Sequence, residues 1–519
     1  MHLIDWIVVF VYLLGMLIMA AVYGRSQNSG RDYFLGANRL SPLSLAASTV
    51  ATQCSTNSLL GAPAFVGFSL GGGLIWMQYE LAVPLAMLLL VPLLANVRES
   101  GHVSIYAFLE QRLGPRARLL ASTMFLIFRG IATGVTVYGV AILVTLIVDI
   151  SYTQAVLLLM AVTIAYDVMG GMRAVVVSDV VQLVLIVVAV GISFVLLLTE
   201  IGGVEVLWAF QADSERGRAL DFSWGLAGSG NFGFWPMLLG GLFLYMAYYG
   251  CDQSQAQRVL ASRSAEDAQR VLLYSGLLRF PIVFLYCLLG LALAVYAAQV
   301  PEFVGSLPSN SVGTPNFNLV FPAYVLEAFP VGLVGLVLVG VVAAAMSSID
   351  SSLNALSAAT MEDHIRGRWQ PNKERQRFVL AKAVTVLWGL FAVAFSYQVE
   401  AIAPTILEAI NKIGSVANGP LLGLFLTALL MPRVGERRAI IAFAIGFASN
   451  VACWLWLPQV SWLWWNVIGC LVALAIAGLS GAGLTWEMRS QVRLSTAVSL
   501  LAMMGLILVV SAGFGMRTS

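Results

Sequence analysis

Long apolar stretches, separated by short polar connections, recur from one end of the chain to the other. Each holds about 20 mainly apolar residues, as from Leu3 to Val22 and from Val175 to Leu198. A helix of that length rises 1.5 Å per residue and crosses a hydrocarbon core of ~30 Å. The apolar positions do not alternate with a period of two, which argues against an outer-membrane barrel. We therefore predict an all-α, polytopic membrane protein.

The apolar pattern predicts about 14 transmembrane helices. Their predicted limits are 3–23, 43–70, 74–95, 117–149, 153–169, 174–199, 234–253, 271–298, 320–362, 378–397, 401–431, 437–457, 462–485 and 493–513.

Polar residues interrupt two of these spans. The span 43–70 contains Ala-Thr-Gln-Cys-Ser-Thr-Asn-Ser at 51–58, and the span 234–253 contains a comparable stretch at 245–253. Hydroxyls and amides are costly in hydrocarbon unless they line a polar cavity, so both spans are predicted to be discontinuous helices. The interruptions lie five spans apart, and five is odd, so two groups of five would enter the membrane in opposite senses. That arrangement is typical of an inverted-topology repeat with a binding site at the repeat interface.

The spans and loops predict five regions. They are a leading helix and cytoplasmic loop at 1–40, a first inverted repeat at 41–200, an extracytoplasmic loop at 201–233, a second inverted repeat at 234–431, and peripheral C-terminal helices at 432–519.

Composition and charge agree with the membrane assignment. With 60% hydrophobic and 10% charged residues, the chain has too little polar surface for a water-soluble protein of 519 residues. A formal charge of +2 does not suggest a nucleic-acid partner. Basic residues cluster at alternate connections, for example Arg258, Arg263 and Arg270 after the seventh span. The positive-inside rule makes these connections cytoplasmic, which places both termini outside an inner (plasma) membrane. Five cysteines and three histidines show no metal-ligand spacing.

The ninth span carries the most polar intramembrane stretch. Ser347, Asp350, Ser351 and Asn354 share one helix face at i, i+3, i+4 and i+7. Oxygen ligands on one face suit a hard cation when a facing helix is unwound. The alternative is that the hydroxyls bond back to the preceding turn or pack between helices, but an intramembrane aspartate among serines favours an ion site. Asp179 is a second acidic residue near the apolar zone, and it either joins such a site or begins a solvated helix.

Three motifs, taken together with their order and spacing along the chain, resemble those of the sodium:solute symporter family. They are the serine-rich ninth span, Gly170-Gly171 followed by Ser178-Asp179-Val180-Val181-Gln182, and Asp252-Gln253 followed by Gln257-Arg258. The resemblance covers spans 1 to 11. It implies a five-plus-five inverted repeat with one extra leading helix, alternating access, and Na+ as the coupling ion.

The resemblance also implies where sodium binds. The main site would use three backbone carbonyls and two hydroxyls, those of Ala51, Cys54, Ala344, Ser347 and Ser348. Some members have a second sodium site, which would fall on Asp179, Ser347, Asp350 and Ser351. A hydroxyl can stand in the family where Asp350 stands here. This carboxylate would tighten the second site, take a proton there, or replace the sodium.

The family's solute cavity lies between the two broken helices. By resemblance, the side chains that would face it are Ser55, Asn57, Ser58, Gln78 and Tyr245. Tyr248 matches an aromatic residue that closes the cavity from the cytoplasmic side.

Arg129 bears on the identity of the solute. A guanidinium is costly in hydrocarbon, and its fork matches a carboxylate. Similar sialic acid carriers place an arginine one helical turn away, near Ala132. The alternative is a structural pair with an acid such as Glu80. We also expect Arg279 to reach toward the cytoplasm and Glu408 to pair with Lys412.

These observations predict a sodium-coupled symporter that imports a small organic solute. A carboxylate-bearing solute, monocarboxylate or sialic acid-like, is the first choice, and a sugar or polyol is the alternative. A membrane sensor that binds solute without transport is a rival of another class, although no signalling domain is recognisable. An intramembrane enzyme would need a nucleophile and a base, and the sequence offers no such pair. Proton coupling stays open because Asp179 and Asp350 are titratable.

Overall fold

The computed structural model describes residues 2–25, 27, 29–99, 101–226, 232–309, 313–365, 374–399, 406–479 and 492–515. Within these ranges nine helices are long and apolar enough to cross a membrane, and four apolar helices are shorter. The chain is therefore a multi-pass helical protein, as the apolar pattern predicts.

Helices are numbered here in chain order. They are α1 Leu3–Gly24, α2 Gly30–Leu35, α3 Pro42–Gln53, α4 Thr56–Phe68, α5 Met77–Glu80, α6 Ala82–Glu99, α7 Tyr106–Arg112, α8 Pro115–Val148, α9 Tyr152–Glu200, α10 Val204–Asp213, α11 Gly241–Cys251, α12 Gln253–Leu260, α13 Ala265–Gln299, α14 Pro301–Ser306, α15 Val320–Ala328, α16 Leu333–Ala359, α17 Glu374–Ser396, α18 Ile406–Leu430, α19 Glu436–Trp456, α20 Leu463–Gly478 and α21 Leu494–Gly515. A π-helical turn, Pro236–Gly240, leads into α11, and another, Thr360–Ile365, follows α16.

Within the described residues the fourteen predicted spans lie on these helices, and the ninth, 320–362, is divided between α15 and α16. Residues 401–405 and 480–485 of two other spans lie outside the described residues. The fifth and sixth both lie in α9, which changes direction at Gly171, where φ is 53° and ψ is −167°. The hydroxyls of Tyr166 and Ser178 are hydrogen-bonded across 12 residues, a separation of about 18 Å in a straight helix. The chain therefore folds back at Gly171, so that α9 crosses the membrane twice.

The first predicted discontinuity lies between α3 and α4. Cys54 (ψ 46°) and Ser55 (ψ 174°) leave the helical region, so the break is narrower than the polar stretch. The threonines before it stay helical because their hydroxyls bond back to carbonyl oxygens one turn earlier, Thr49 to Leu45 at 2.9 Å and Thr52 to Ser48 at 3.0 Å.

The second discontinuity is a single residue. Asp252 is extended (φ −85°, ψ 121°) between α11 and α12, and its Oδ1 accepts the Ser254 backbone N–H at 2.8 Å as an N-cap. The polar stretch predicted an interruption over 245–253, but most of that stretch is helical. Its tyrosines remain in α11 because their hydroxyls find partners on other helices, Tyr245 with Arg279 and Tyr249 with Gln53.

Two long helices hold the broken helices in place. Helix α16 packs against α3, α8, α9 and α12, and α13 packs against α3, α4, α6 and α9. Small buried residues on α16, Ala343, Ala344 and Ala345, allow the close approach of α9 and α3. The two breaks therefore lie inside the bundle.

The outer surface of the bundle is apolar. Phe10 and Val11 of α1 and Val509 of α21 are 66%, 62% and 70% exposed. Large apolar side chains at that exposure need a lipid solvent.

Candidate ion and solute site

The hydroxyls of α16 face the open end of α3. Ser347 Oγ lies 3.2 Å from the Ala51 carbonyl oxygen and 3.1 Å from that of Ala344. Ser348 Oγ lies 2.9 Å from the Thr52 carbonyl oxygen and 3.3 Å from that of Ala344. These carbonyls of α3 are available because a helix leaves its last four C=O groups without intrahelical partners. Neutral oxygens from two helices thus lie close together, those at Ser347 buried and that of Ser348 half-buried.

The position of Cys54 differs from that of the other four expected sodium ligands. Its carbonyl oxygen accepts the Tyr286 hydroxyl of α13 at 3.4 Å, while the Thr52 carbonyl lies against Ser348. The sequence does not single out Thr52 as a ligand, because any residue type has a backbone carbonyl. The set of hydroxyls and freed carbonyls fits Na+, which takes oxygen ligands at the unwound end of a helix.

An arginine stands among the residues of the second expected sodium site. Arg258 Nη2 lies 3.3 Å from Asp179 Oδ2 and is hydrogen-bonded to Ser351 Oγ. It also donates to Thr52 Oγ1 at 2.8 Å, and its Nε donates to Ser48 Oγ at 3.0 Å. The placement of Arg258 in a cytoplasmic connection is therefore wrong. Its side chain is 1% exposed because the break at Asp252 directs α12 into the bundle.

One guanidinium does not satisfy the carboxylates around it. Asp350 Oδ1 accepts the Ser351 backbone N–H at 2.6 Å. Among the described residues, Asp350 Oδ2 and Asp179 Oδ1 have no hydrogen-bond partner. Asp167, which the sequence pattern did not single out, is also buried and faces Asn354. A buried, unpaired carboxylate is costly, so this cluster has room for a proton or for another cation.

A cavity of about 190 Å³ lies beside the sodium ligands. Its walls come from the break between α3 and α4 and from α8, α11, α13 and α16. The hydroxyl, amide and guanidinium side chains that line it are Thr52, Gln53, Ser55, Asn57, Ser58, Tyr79, Arg129, Thr133, Thr136, Tyr245, Tyr248, Arg279, Ser348 and Ser352. The structure thus brings together every residue expected to face the solute except Gln78.

Gln78 has a different role. It is fully buried on α5, where its Nε2 donates to the Phe232 carbonyl at 2.6 Å and its Oε1 accepts the Asp221 N–H at 3.1 Å. The expectation that Gln78 faces the solute is therefore wrong. The short helix α5 points this amide at the segment that follows α10, which it fastens to the bundle.

Arg129 forms an ion pair, but the partner is not Glu80. Its Nη2 is bonded to Asp252 Oδ2 in the break between α11 and α12. The guanidinium carbon also lies 5.3 Å from the centroid of the Tyr248 ring. Arg129 and Tyr248 both line the cavity, so the pair stands at its wall.

Glu80 pairs instead with Arg279, at 2.8 Å to Nε and 2.9 Å to Nη2. Arg279 also donates to Tyr245 OH and Gln53 Oε1, each at 2.7 Å. The expectation that Arg279 reaches the cytoplasm is wrong, because a carboxylate at the same depth binds it with two charged hydrogen bonds. The expected pair of Glu408 and Lys412 lies outside the described side chains.

Comparison with known proteins supports the arrangement. The profile of the sodium:solute symporter family matches residues 33–446. The sodium/sialic acid symporter NanT of Aliivibrio fischeri is 26% identical over 484 residues, which cover 92% of each chain. Human sodium-coupled monocarboxylate transporter 1 is 25% identical over 459 residues, covering 85% of this chain and 72% of that protein.

Solved structures share the fold. A Na+-coupled sialic acid symporter in its substrate-bound, outward-open state superposes with a TM-score of 0.82 at 24% identity, over 93% of this chain and 99% of that one. A nucleobase-cation-symport-1 family transporter in a closed conformation has a TM-score of 0.56 at 14% identity, over 91% of this chain and 99% of that one. The inverted-repeat architecture expected from the two broken helices is thus the architecture of these transporters.

Proposed function

Because this chain belongs to the sodium:solute symporter family, we propose that it is a secondary active symporter that imports a small carboxylate-bearing solute with Na+. One observation carries the proposal: Ser348 lies against the Thr52 carbonyl at the open end of α3 and also lines the solute cavity. An ion bound at that point would order the cavity wall.

The main sodium ion would bind the hydroxyls of Ser347 and Ser348 and the carbonyls of Ala51, Thr52 and Ala344, with the Thr52 carbonyl in place of the expected Cys54 carbonyl. This set joins α3 to α16. Sodium enters down its gradient and down the membrane potential, which is worth about 2.3 kcal/mol per charge per 100 mV. Coupling requires that sodium and solute each favour the same conformation, and the effect is reciprocal.

Arg129 is the cavity cation best suited to a solute carboxylate. Arg279 already makes four hydrogen bonds with Glu80, Tyr245 and Gln53, whereas Arg129 bonds Asp252 and Tyr248. A guanidinium carries five N–H donors, so Arg129 retains donors for a solute.

The size of the cavity supports a short solute. Sites for drug-sized ligands typically measure about 300–1,000 Å³, and this cavity measures about 190 Å³. A monocarboxylate of a few carbons fits better than a sialic acid-like compound. Hydroxyls and amides at Ser55, Asn57 and Ser58 would bind polar substituents, and they keep a sugar or polyol as the second candidate.

We place the protein in the plasma membrane with both termini outside. Arg263 and Arg270 remain at the connection that follows α12 after Arg258 is assigned to the interior. Alternate basic connections therefore still support cytoplasmic loops. The first repeat would comprise α3 to α9, and the second would run from the turn before α11 through α18.

Uptake by proteoliposomes tests the proposal. An inward sodium gradient should drive uptake of a labelled monocarboxylate, and an equal potassium gradient should not. Ser348→Ala should abolish the sodium stimulation because it removes a ligand shared with the cavity wall. Ser449→Ala is the matched control, since among the described residues Ser449 bonds the Gly446 carbonyl of its own helix. Sodium-independent uptake, or full stimulation in Ser348→Ala, would overturn the assignment.

A further inference from the structure

A second cavity, of about 120 Å³, adjoins the solute cavity. It lies between α8, α11 and α18, and Asn418 lines its far side. Arg129, Leu244 and Tyr248 line both cavities. These shared side chains, with Ala132, form a partition between the solute cavity and the second cavity.

The ion pair of Arg129 with Asp252 crosses this partition. Asp252 lines the second cavity, whereas Arg129 lines both. The Tyr248 ring covers the guanidinium at 5.3 Å, and Gln255 of α12 donates to the Tyr248 hydroxyl at 3.0 Å. Side chains of α8, α11 and α12 are therefore in contact at Arg129 and Tyr248. The partition is closed as long as these contacts persist.

A solute carboxylate would meet the same guanidinium from the other side. Arg129 and Asp252 are 15% and 17% exposed, so the pair is largely shielded from water and is electrostatically strong. Two carboxylates on one guanidinium would repel each other, and a bidentate solute carboxylate would make two hydrogen bonds to Arg129 where the Asp252 carboxylate makes one. The solute and Asp252 therefore compete for Arg129.

We propose that the solute carboxylate displaces Asp252 from Arg129 and that this exchange opens the partition into the second cavity. This inference rests on the proposed function, since it requires a carboxylate solute. The break at Asp252 is the hinge: it is the one non-helical residue between α11 and α12, and a few such residues absorb a hinge motion. In the absence of solute the pair re-forms, and the path that would let sodium pass alone stays closed.

Asp252→Asn tests the exchange directly. Asparagine is as good an N-cap as aspartate, so the start of α12 and its bond from Ser254 should survive while the charge is lost. Asn418→Cys reports opening as a rise in the rate at which its thiol reacts with a charged maleimide, because the partition separates Asn418 from the solute cavity. The five native cysteines are all buried, and the parent chain without Asn418→Cys gives their background.

In the Asn418→Cys chain, labelling should be slow with sodium alone. Lactate, pyruvate and sialic acid are first tested for uptake by the parent chain, and the one that is transported is then added. The labelling rate should rise about tenfold, since coupling between two sites typically amounts to about 5- to 150-fold. With Asp252→Asn added, labelling should be equally fast without any carboxylate. Asp267→Asn, which removes a carboxylate outside both cavities, should leave labelling slow. A sodium-dependent rise in thermal stability shows that each variant is folded.

The outcomes separate the two proposals. If the parent takes up a carboxylate with sodium but Asp252→Asn leaves labelling slow, the exchange at Arg129 is overturned and the proposed function stands. If the chain with Asn418→Cys alone is labelled fast whether or not the carboxylate is present, the exchange at Arg129 is also overturned. If the parent takes up no carboxylate, the proposed function fails and the exchange fails with it.

Discussion

Arg279 of α13 and Glu80 at the end of α5 form a two-point ion pair inside the bundle, with Nε and Nη2 at 2.8 and 2.9 Å from the two carboxylate oxygens. The side chains are 9% and 1% exposed. Tyr245, which also bonds Arg279, lines the solute cavity. The pair therefore fixes one wall of the cavity, and its role is to position Tyr245 and Gln53.

Glu80→Gln should destabilise the protein strongly. It leaves the Arg279 guanidinium buried without a counter-charge, and breaking a buried pair in this way typically costs about 3–5 kcal/mol. The midpoint of thermal unfolding in detergent measures the effect. Glu80→Gln combined with Arg279→Gln removes both charges and should recover much of the loss. A midpoint unchanged by Glu80→Gln alone would show that the pair is not structural.

Arg129→Lys should weaken solute affinity even though it keeps the positive charge. An ammonium lacks the planar fork that binds both oxygens of a carboxylate, and a hydrogen bond to a charged group is worth about 1.5–3 kcal/mol. We expect the KM for the transported carboxylate to rise roughly 10- to 100-fold. Sodium-dependent uptake over a range of solute concentrations gives the value. An equal KM in the parent and in Arg129→Lys would exclude direct contact with the carboxylate.

Much of the fold follows from the sequence because lipid imposes simple constraints. Apolar length gives the spans, and hydroxyls and amides at 51–58 locate the first broken helix, since backbone and side-chain polar groups must be satisfied inside the membrane. The polar stretch at 245–253 predicts a broader second break than the single residue Asp252. Tyrosines at 245–249 looked polar in sequence, yet Tyr245 and Tyr249 bond Arg279 and Gln53 and remain helical.

The charged residues of the site were harder to place. The basic cluster predicts a cytoplasmic connection for Arg258, and the position of Arg279 in the eighth span predicts that it reaches toward the cytoplasm, but both are buried in the bundle. Their partners are remote in sequence: Glu80 lies 199 residues from Arg279, and Asp179 lies 79 residues from Arg258. Spacing along one helix does not reveal which side chain meets another across helices, and a backbone break at Asp252 decides where Arg258 points.

Asp350→Ser tests whether a second cation binds near Arg258. Asp350 Oδ2 and Asp179 Oδ1 have no hydrogen-bond partner among the described residues, and Arg258 supplies one positive charge to these two carboxylates. If sodium fills the remaining place, uptake should depend sigmoidally on sodium in the parent and hyperbolically in Asp350→Ser, because one of two coupled sites is lost.

The measurement is the initial rate of uptake against sodium concentration at fixed pH and saturating solute. Ser357→Ala, about two turns further along α16, is the matched control, since Ser357 bonds the Ala381 carbonyl of α17 at 2.9 Å. A hyperbolic curve in the parent would show that one sodium ion suffices and that Arg258 has taken the second position.

Gly171→Ala should prevent the reversal within α9. The φ of 53° is unfavourable for a residue with a Cβ, and that atom would lie 2.7 Å from Cδ2 of Tyr33 and 2.9 Å from its carbonyl oxygen. The backbone contact cannot give way as a flexible side chain would. Strained backbone conformations of this kind cost about 1–3 kcal/mol before any clash, so the midpoint of thermal unfolding and the yield of folded protein should both fall.

Gly191→Ala is the matched control in the same helix, because its Cβ meets no atom within 4 Å. Alanine is the better helix former by about 1 kcal/mol, so this variant should unfold at the same temperature as the parent or slightly higher. Equal midpoints for the two variants would mean that the chain does not need glycine to turn back at this position.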